Sequence, residues 1–311
     1  MRTRDDSWDI ATSVGATAVM VALARAAETA SDDPLIRDQF AAPLVSTPEL
    51  AEVCQRMASW WADRSAEDAQ DDDIDFSVDL QQMISYQAVR THFFDAYFNT
   101  AVQVGVRQVV ILAAGLDSRA YRLDWPPGTV VYEIDLPKVL EYKSETLAQH
   151  GAEPSTTRRP VPVDLRHDWP KALREQGFDV TQPTAWLAEG LLPFLPAEAQ
   201  ESMFASVNEL SAASSRVAVE VFGVDEQQRK EIGERWAKLR AAREKRGEDV
   251  SFSPFELWFD HEGRSDPTEW FSSRGWTTHT ADSGAEATRL GRGPTGDDPR
   301  FKNTFVVAQK T

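Results

Sequence analysis

The sequence predicts an α/β protein in which helices cover both faces of a largely parallel sheet. Between Arg107 and about Phe222, short runs rich in β-branched residues alternate with amphipathic segments. That alternation marks repeated strand–helix–strand units. The runs are also apolar end to end, as in "RQVVILAA", which suits strands buried on both faces rather than a sheet with one wet side. Before about residue 104 the pattern is helical throughout, so helices precede the sheet as a cover.

Taken in order, "SVGATAVMVALARAAETA" is alanine-rich with few breakers, which favours a helix. "STPELAEVCQRMASWWADR" opens on a capping Ser or Thr with Pro close behind, a helix start. The acidic run "DRSAEDAQDDDID" reads as a solvated loop. "DLQQMISYQAVRTHFFDAYFNTAV" supplies about six turns of helix, on which Met83, Tyr86, Arg90, Phe93 and Tyr97 share one face by 3-4-3-4 spacing. Strand candidates follow in "RQVVILAA", "TVVYEID", "RPVPVDL", "PTAWLAE" and "SRVAVEVF", with helices such as "LPKVLEYKSETLAQHG" and "PAEAQESMFASVNELSAA" between them. A long charged helix, "DEQQRKEIGERWAKLRAAREKRG", an aromatic stretch and two last strands, "WTTHTA" and "NTFVVAQK", complete the chain. The expected layout is one domain over 1–311, with a helical cover at 1–104, a ligand-binding core at 105–224, a helical acceptor-side insertion at 225–275 and closing strands at 276–311.

Composition narrows the function. A formal net charge of −17 argues against a protein that grips nucleic-acid phosphates. No apolar run reaches the roughly 18 residues of a membrane span, and "MRTRDDSWDIATS" turns acidic where a signal peptide would become apolar. A cytoplasmic protein, bound to neither nucleic acid nor membrane, is expected. The single cysteine, Cys54, excludes an internal disulfide and reads as a buried, inert thiol. The five histidines lack ligand spacing, so no metal is expected.

In an open parallel sheet, ligands bind outside the carboxyl ends of the strands. Gly115 closes the first strand, either as a plain tight turn or as a place for a ligand to approach the backbone. Asp135 ends the next strand twenty positions later, where an acid hydrogen-bonds ribose hydroxyls. A dinucleotide would need three glycines around its pyrophosphate. The loop "AAGLDS" has one, and Asp117 there would repel phosphate but suit a cation. The spacing therefore points to S-adenosyl-L-methionine rather than NAD. Asp164 and Leu165 at the third strand end suit an adenine ring, and Glu189 at the fourth adds an acid beside the apolar lip Leu191, Leu192 and Phe194. Each acid alone reads equally well as a helix cap or a solvated residue; their recurrence along one rim is the signal. Arg90 is read as a clamp on the methionine carboxylate, or as a guanidinium stacked on Tyr86.

The segments "WDIATSVGATAVMVALARAAET", "DPLIRDQFA", "VRTHFFDAYF", "VVILAAGLDSRAYRL", "YEIDLPKVLEYK", "PVDLRHDWP" and "WLAEGLLPFL" together resemble the mycobacterial S-adenosylmethionine-dependent methyltransferases related to the leucine carboxyl methyltransferases. The resemblance spans nearly the whole chain. It implies a class I methyltransferase, Rossmann-like fold: a seven-stranded sheet with its last strand antiparallel, under an N-terminal helical cover. It implies Arg90 for the cofactor carboxylate, Gly115 for the methionine part, Asp135 for ribose, Asp164 with Leu165 for adenine and Glu189 near the amino group. The acceptor region, about Phe252 to Trp276, departs from the leucine carboxyl methyltransferases, so their protein-terminus substrate does not transfer.

The expected reaction is O-methylation of a carboxylate or hydroxyl on a small-molecule acceptor. No catalytic base announces itself; His167, just past the Asp164 strand end, reads as a surface residue at a helix N-terminus, with a role as base as the alternative. The aromatics Phe255, Trp258, Phe259 and Trp270 read as helix packing, while Tyr86, Tyr142 and Trp258 are the candidates to line an acceptor pocket. Two rivals stand beside this reading: an NAD-dependent oxidoreductase, and a protein that binds S-adenosylmethionine without catalysis.

Overall fold

A computed structural model describes residues 14–55, 76–223, 257–259, 263–294 and 299–311, with scattered positions between 230 and 244. The acidic run at 63–75, Phe255 and most of the charged stretch after 224 lie outside the described residues.

Seven strands form one sheet in the order β3-β2-β1-β4-β5-β7-β6. They are β1 (Gln108–Leu112), β2 (Val130–Asp135), β3 (Thr157–Pro162), β4 (Thr184–Ala188), β5 (Arg216–Val221), β6 (Trp276–Asp282) and β7 (Thr304–Lys310). Pairings are parallel from β3 across to β5, and β7 alone runs against its neighbours, with Val219 opposite Val306 and Thr280 opposite Val306 on its other side. This is the expected seven-stranded sheet with its last strand reversed.

The central strands β1 and β4 are buried at every position, as their unbroken apolar runs require. Side chains alternate between two cores. Val109 and Ile111 face one with the cover helices, whereas Val110 and Leu112 face the other with Trp169, Trp186 and Phe204. Helices α1 (Val14–Thr29), α2 (Ala41–Val45) and α3 (Phe76–Gln103) form the cover, and α3 is longer at both ends than the apolar pattern alone indicates. Helices α4 (Arg119–Arg122), α5 (Pro137–Gln149), α6 (Trp169–Glu175) and α7 (Ala197–Leu210) link the parallel strands.

Local chemistry starts several helices. Asp168 accepts from the Lys171 amide at 3.1 Å to open α6, and Asp266 accepts from the Glu269 amide at 3.0 Å to open α8 (Pro267–Ser272). Asp282 accepts from the Ala285 amide at 2.7 Å to open α9 (Ser283–Arg289), a helix between the closing strands that the apolar pattern does not signal. Cys54 is half-buried with its thiol toward the Val45 carbonyl, 3.2 Å away, and burial raises its pKa. The sequence predicts it buried; the structure leaves it half-buried.

The order of strands reverses between β1 and β4, which places a crevice at their carboxyl ends.

Candidate functional site

A cavity of about 290 Å³ opens at those carboxyl ends, roofed by α1 and α3. All six residues singled out on the sequence, Arg90, Gly115, Asp135, Asp164, Leu165 and Glu189, line it. The structure brings together what four strand ends and one helix supply separately.

The turn after β1 is backbone-strained. Ala113 has φ 52° and Gly115 φ 46°, left-handed values that a residue with a Cβ adopts at a cost of about 1–2 kcal/mol. Gly115 has a further reason to lack a side chain, because a Cβ would stand 3.2 Å from that of Ala18 on α1. Its amide donates to Asp135 Oδ2 at 2.6 Å. The glycine therefore lets the cover close down on the turn as well as leaving the backbone open to the cavity.

Asp135 takes a second amide, from Leu136 at 2.7 Å. Burial raises its pKa, and those two amides only partly offset the effect. Asp164 is held by Arg166, whose Nη2 lies 2.6 Å from Oδ2 and whose amide lies 2.8 Å from Oδ1. Burial would raise the Asp164 pKa, but these Arg166 hydrogen bonds prevail and lower it. Leu165 is half-buried beside it.

Arg90 does not stack on Tyr86 as its main contact. Its Nε lies 2.8 Å from Glu189 Oε1 and its Nη1 lies 3.1 Å from Glu220 Oε2. Burial alone would lower its pKa, yet Glu220 and Glu189 raise it, so the guanidinium stays charged. Glu189 is shared, because Arg119 Nη1 lies 2.8 Å from its other oxygen. Arg119 also contacts Asp117 and, at 2.7 Å through Nε, Asp95, which Arg122 holds through both of its terminal nitrogens. On the cover, Arg25 of α1 donates to the Leu116 carbonyl at 2.7 Å and pairs with Asp38 at 2.8 Å.

This charged wall is what the sequence reading missed. Glu220 carried a signal, an acid inside the apolar strand "VAVEV". The arginines of "SRAYR" and of the alanine-rich first helix carried a weaker one.

Other expectations move. Tyr86 is buried away from the cavity and its hydroxyl donates to Glu220. Tyr142 donates to the Leu44 carbonyl at 2.7 Å and bonds Thr47, so it fastens α5 to the cover. Neither lines the cavity. Trp258 does, with its ring 5.3 Å from that of Phe222, while Trp270 packs in the core on Phe204 and Phe271. On the shared face of α3, Met83 and Arg90 reach the cavity, but Phe93 packs on Phe305 and Tyr97 donates to the Trp186 carbonyl. His167 is exposed and does not line the cavity, which removes it as a base there. Among the described residues no group of His, Cys, Asp and Glu has the arrangement of a metal site, and no helix is long and apolar enough to cross a membrane.

The family profile described as "Leucine carboxyl methyltransferase" matches residues 18–208. A Mycobacterium ulcerans protein named "Putative S-adenosyl-L-methionine-dependent methyltransferase" is 66% identical over 312 residues, covering 99% of this chain and 99% of its own. A Mycobacterium marinum protein of the same name is also 66% identical, with the same coverage. One from Mycobacterium avium is 53% identical and covers 99% of this chain and 94% of its own.

Proposed function

The chain belongs to the leucine carboxyl methyltransferase family of S-adenosyl-L-methionine-dependent methyltransferases, and from that premise we propose that it methylates an oxygen, carboxylate or hydroxyl, of a small apolar acceptor. One observation carries the reading. The cavity has a charged side, made by Asp117 and Arg119 after β1, Asp135 and Asp164 after β2 and β3, and Glu189 after β4 with Arg90 upon it, and an apolar side made by Leu191, Phe194, Leu195, Phe222 and Trp258.

The charged side fits the cofactor. Asp135 retains acceptor capacity for two ribose hydroxyls, since a carboxylate has about four lone-pair sites and the amides occupy two. Asp164 and Leu165 flank the place for adenine, the Gly115 turn the place for the methionine chain, and Arg90 and Glu189 its carboxylate and ammonium. The turn after β1 has one glycine where a dinucleotide would need three, which sets the reading against NAD. When bound, the cofactor supplies a sulfonium methyl for direct displacement by the acceptor oxygen. The chain's share is alignment, which can supply a large part of the rate.

Among the described lining residues there is no His, Lys, Tyr or Cys. The lining carboxylates are occupied by amides or arginines. A carboxylate acceptor, ionised near neutral pH, needs no base and fits that wall better than a hydroxyl, which benefits from one.

The test is calorimetric titration with S-adenosylmethionine, S-adenosylhomocysteine and NAD, on the wild type and on Asp135→Ala, followed by transfer of labelled methyl to apolar acids and their alcohols. Micromolar binding of the two sulfur ligands, weakened in the variant, with label on the acids, supports the proposal. NAD binding instead would restore the oxidoreductase reading. Cofactor binding without transfer to any acid or alcohol would leave a binding protein.

A further inference from the structure

Arg90 and Glu189 face the cavity as partners of one another, 2.8 Å apart. Each is also held by a second, fixed opposite charge. Behind Arg90 stands Glu220, whose side chain is 0% exposed. It accepts from the Tyr86 hydroxyl, from the Gly190 amide at 2.7 Å and from Asn303 at 3.3 Å, besides Arg90 itself. On the other oxygen of Glu189 sits Arg119, 3% exposed, fixed by Asp95 and Asp117 and itself part of the cavity wall.

We propose that Glu220 and Arg119 are positioning residues for the cofactor's amino-acid end, holding Arg90 and Glu189 as an internal ion pair that the zwitterionic head group opens and replaces. The inference rests on the proposed cofactor roles of Arg90 and Glu189. An amino acid carries one carboxylate and one ammonium. It exchanges one internal pair for two pairs of the same kind, Arg90 with the carboxylate and Glu189 with the ammonium, so neither buried charge is left bare at any stage. The second partners make the exchange work. Without Glu220, Arg90 has only Glu189 to turn to and stays closed on it. Without Arg119, Glu189 swings wholly to Arg90. In both cases the head group meets a tighter internal pair.

The arrangement separates head-group recognition from adenosine recognition. The fragment 5′-methylthioadenosine has the adenosine and thioether of the cofactor but no amino acid. Glu220→Gln, whose one oxygen can take the Gly190 amide while its amide nitrogen turns to the Tyr86 hydroxyl, and Arg119→Lys, which keeps the charge, should be titrated with S-adenosylhomocysteine and with 5′-methylthioadenosine beside the wild type, each checked by circular dichroism.

The expected result for Glu220→Gln is at least tenfold weaker S-adenosylhomocysteine binding with the fragment's affinity changed less than twofold. Arg119→Lys should fall between the variant and the wild type. Equal loss for both ligands would show that Glu220 only supports the fold, and unchanged S-adenosylhomocysteine binding would show that the rear charge is idle; either overturns the inference. If the wild type bound neither ligand, the cofactor reading itself would fall, an outcome distinct from both.

Discussion

Two buried ionic clusters lie on either side of β1, and they differ in one respect. Under β2, Glu133 meets Lys143 at 2.8 Å and Arg158 at 2.7 Å, and both Glu133 and Lys143 are 0% exposed. At the ends of β4 and β5, the arginines and acids around Glu189 are as tightly paired, but Glu189 lines the cavity and keeps 13% of its side chain exposed. No member of the first cluster lines the cavity. Lys143 also donates to the Asp117 carbonyl at 3.0 Å, and Arg158 donates to Ser144 at 2.9 Å and lies over the Tyr121 ring, while Glu133 Oε1 and Arg158 Nη2 are left without a hydrogen-bond partner in the interior. Pairing alone therefore does not mark a site; what matters is whether a paired charge keeps one face toward open space. Loss of a sealed charge should be read in stability, and loss of a cavity-facing one in affinity.

The sharpest way to break that contrast is Glu133→Gln. Removing one partner of a sealed cluster leaves two cations uncompensated, and the expected destabilisation is about 3–5 kcal/mol. A denaturant midpoint equal to the wild type would show that the cluster is not sealed in solution. Next in size is Asp135→Ala, at the cavity. Removing hydrogen bonds to a charged group should weaken S-adenosylhomocysteine binding by about 1.5–3 kcal/mol, and calorimetry giving the wild-type affinity would contradict it.

A smaller effect follows pH. Asp38 and Asp117 are both buried, which would raise their pKa values, but the arginines around them prevail and hold both below the ordinary 3.8. A carboxyl with a depressed folded pKa contributes stability above its unfolded value and loses it as pH falls through the folded one. Stability should therefore decline as pH drops below about 5, and Asp38→Asn should flatten that decline in thermal melts taken between neutrality and strong acid. A parallel curve for the variant would show that Asp38 does not contribute. The smallest effect is at His167, exposed and off the cavity. His167→Ala should change stability by less than about 0.5 kcal/mol and leave turnover on any acceptor unchanged across pH; a lost limb of the pH–rate profile would reinstate it as a base.

Much of the fold was legible because the relevant signals are local. β1 and β4 announce themselves as apolar runs, and Gly115, Asp135, Asp164 and Glu189 each close a strand within a few residues of it. Their convergence on one cavity follows from parallel strands, whose carboxyl ends share an edge. The charged wall was not legible for the opposite reason. Arg90 meets Glu220 across 130 positions, and Arg25 meets Leu116 across 91, distances over which no periodicity carries information. The helical stripe on α3 placed Arg90 correctly at the cavity but could not tell that Tyr86 turns toward Glu220. Helix periodicity fixes a face to within a residue or so, and the cavity occupies only part of that face. Gly115 was legible as a special position and only half understood, since the demand of Ala18 for space comes from another helix.

The cover offers a last consequence. Ala16, Val19 and Ala22 of α1 and Phe94 and Phe98 of α3 belong to the same apolar cluster as Val109 and Ile111 of β1 and Phe305 of β7. The roof over the cavity and the floor beneath it are one piece of interior. A lineage in which such a protein acquires a new acceptor cannot do so by trading its roof for another, because the exchange would tear the interior apart. It is confined to single replacements on the inner lining, at positions such as Met20, Met83, Phe194 and Trp258, each tried one at a time against a scaffold that stays put.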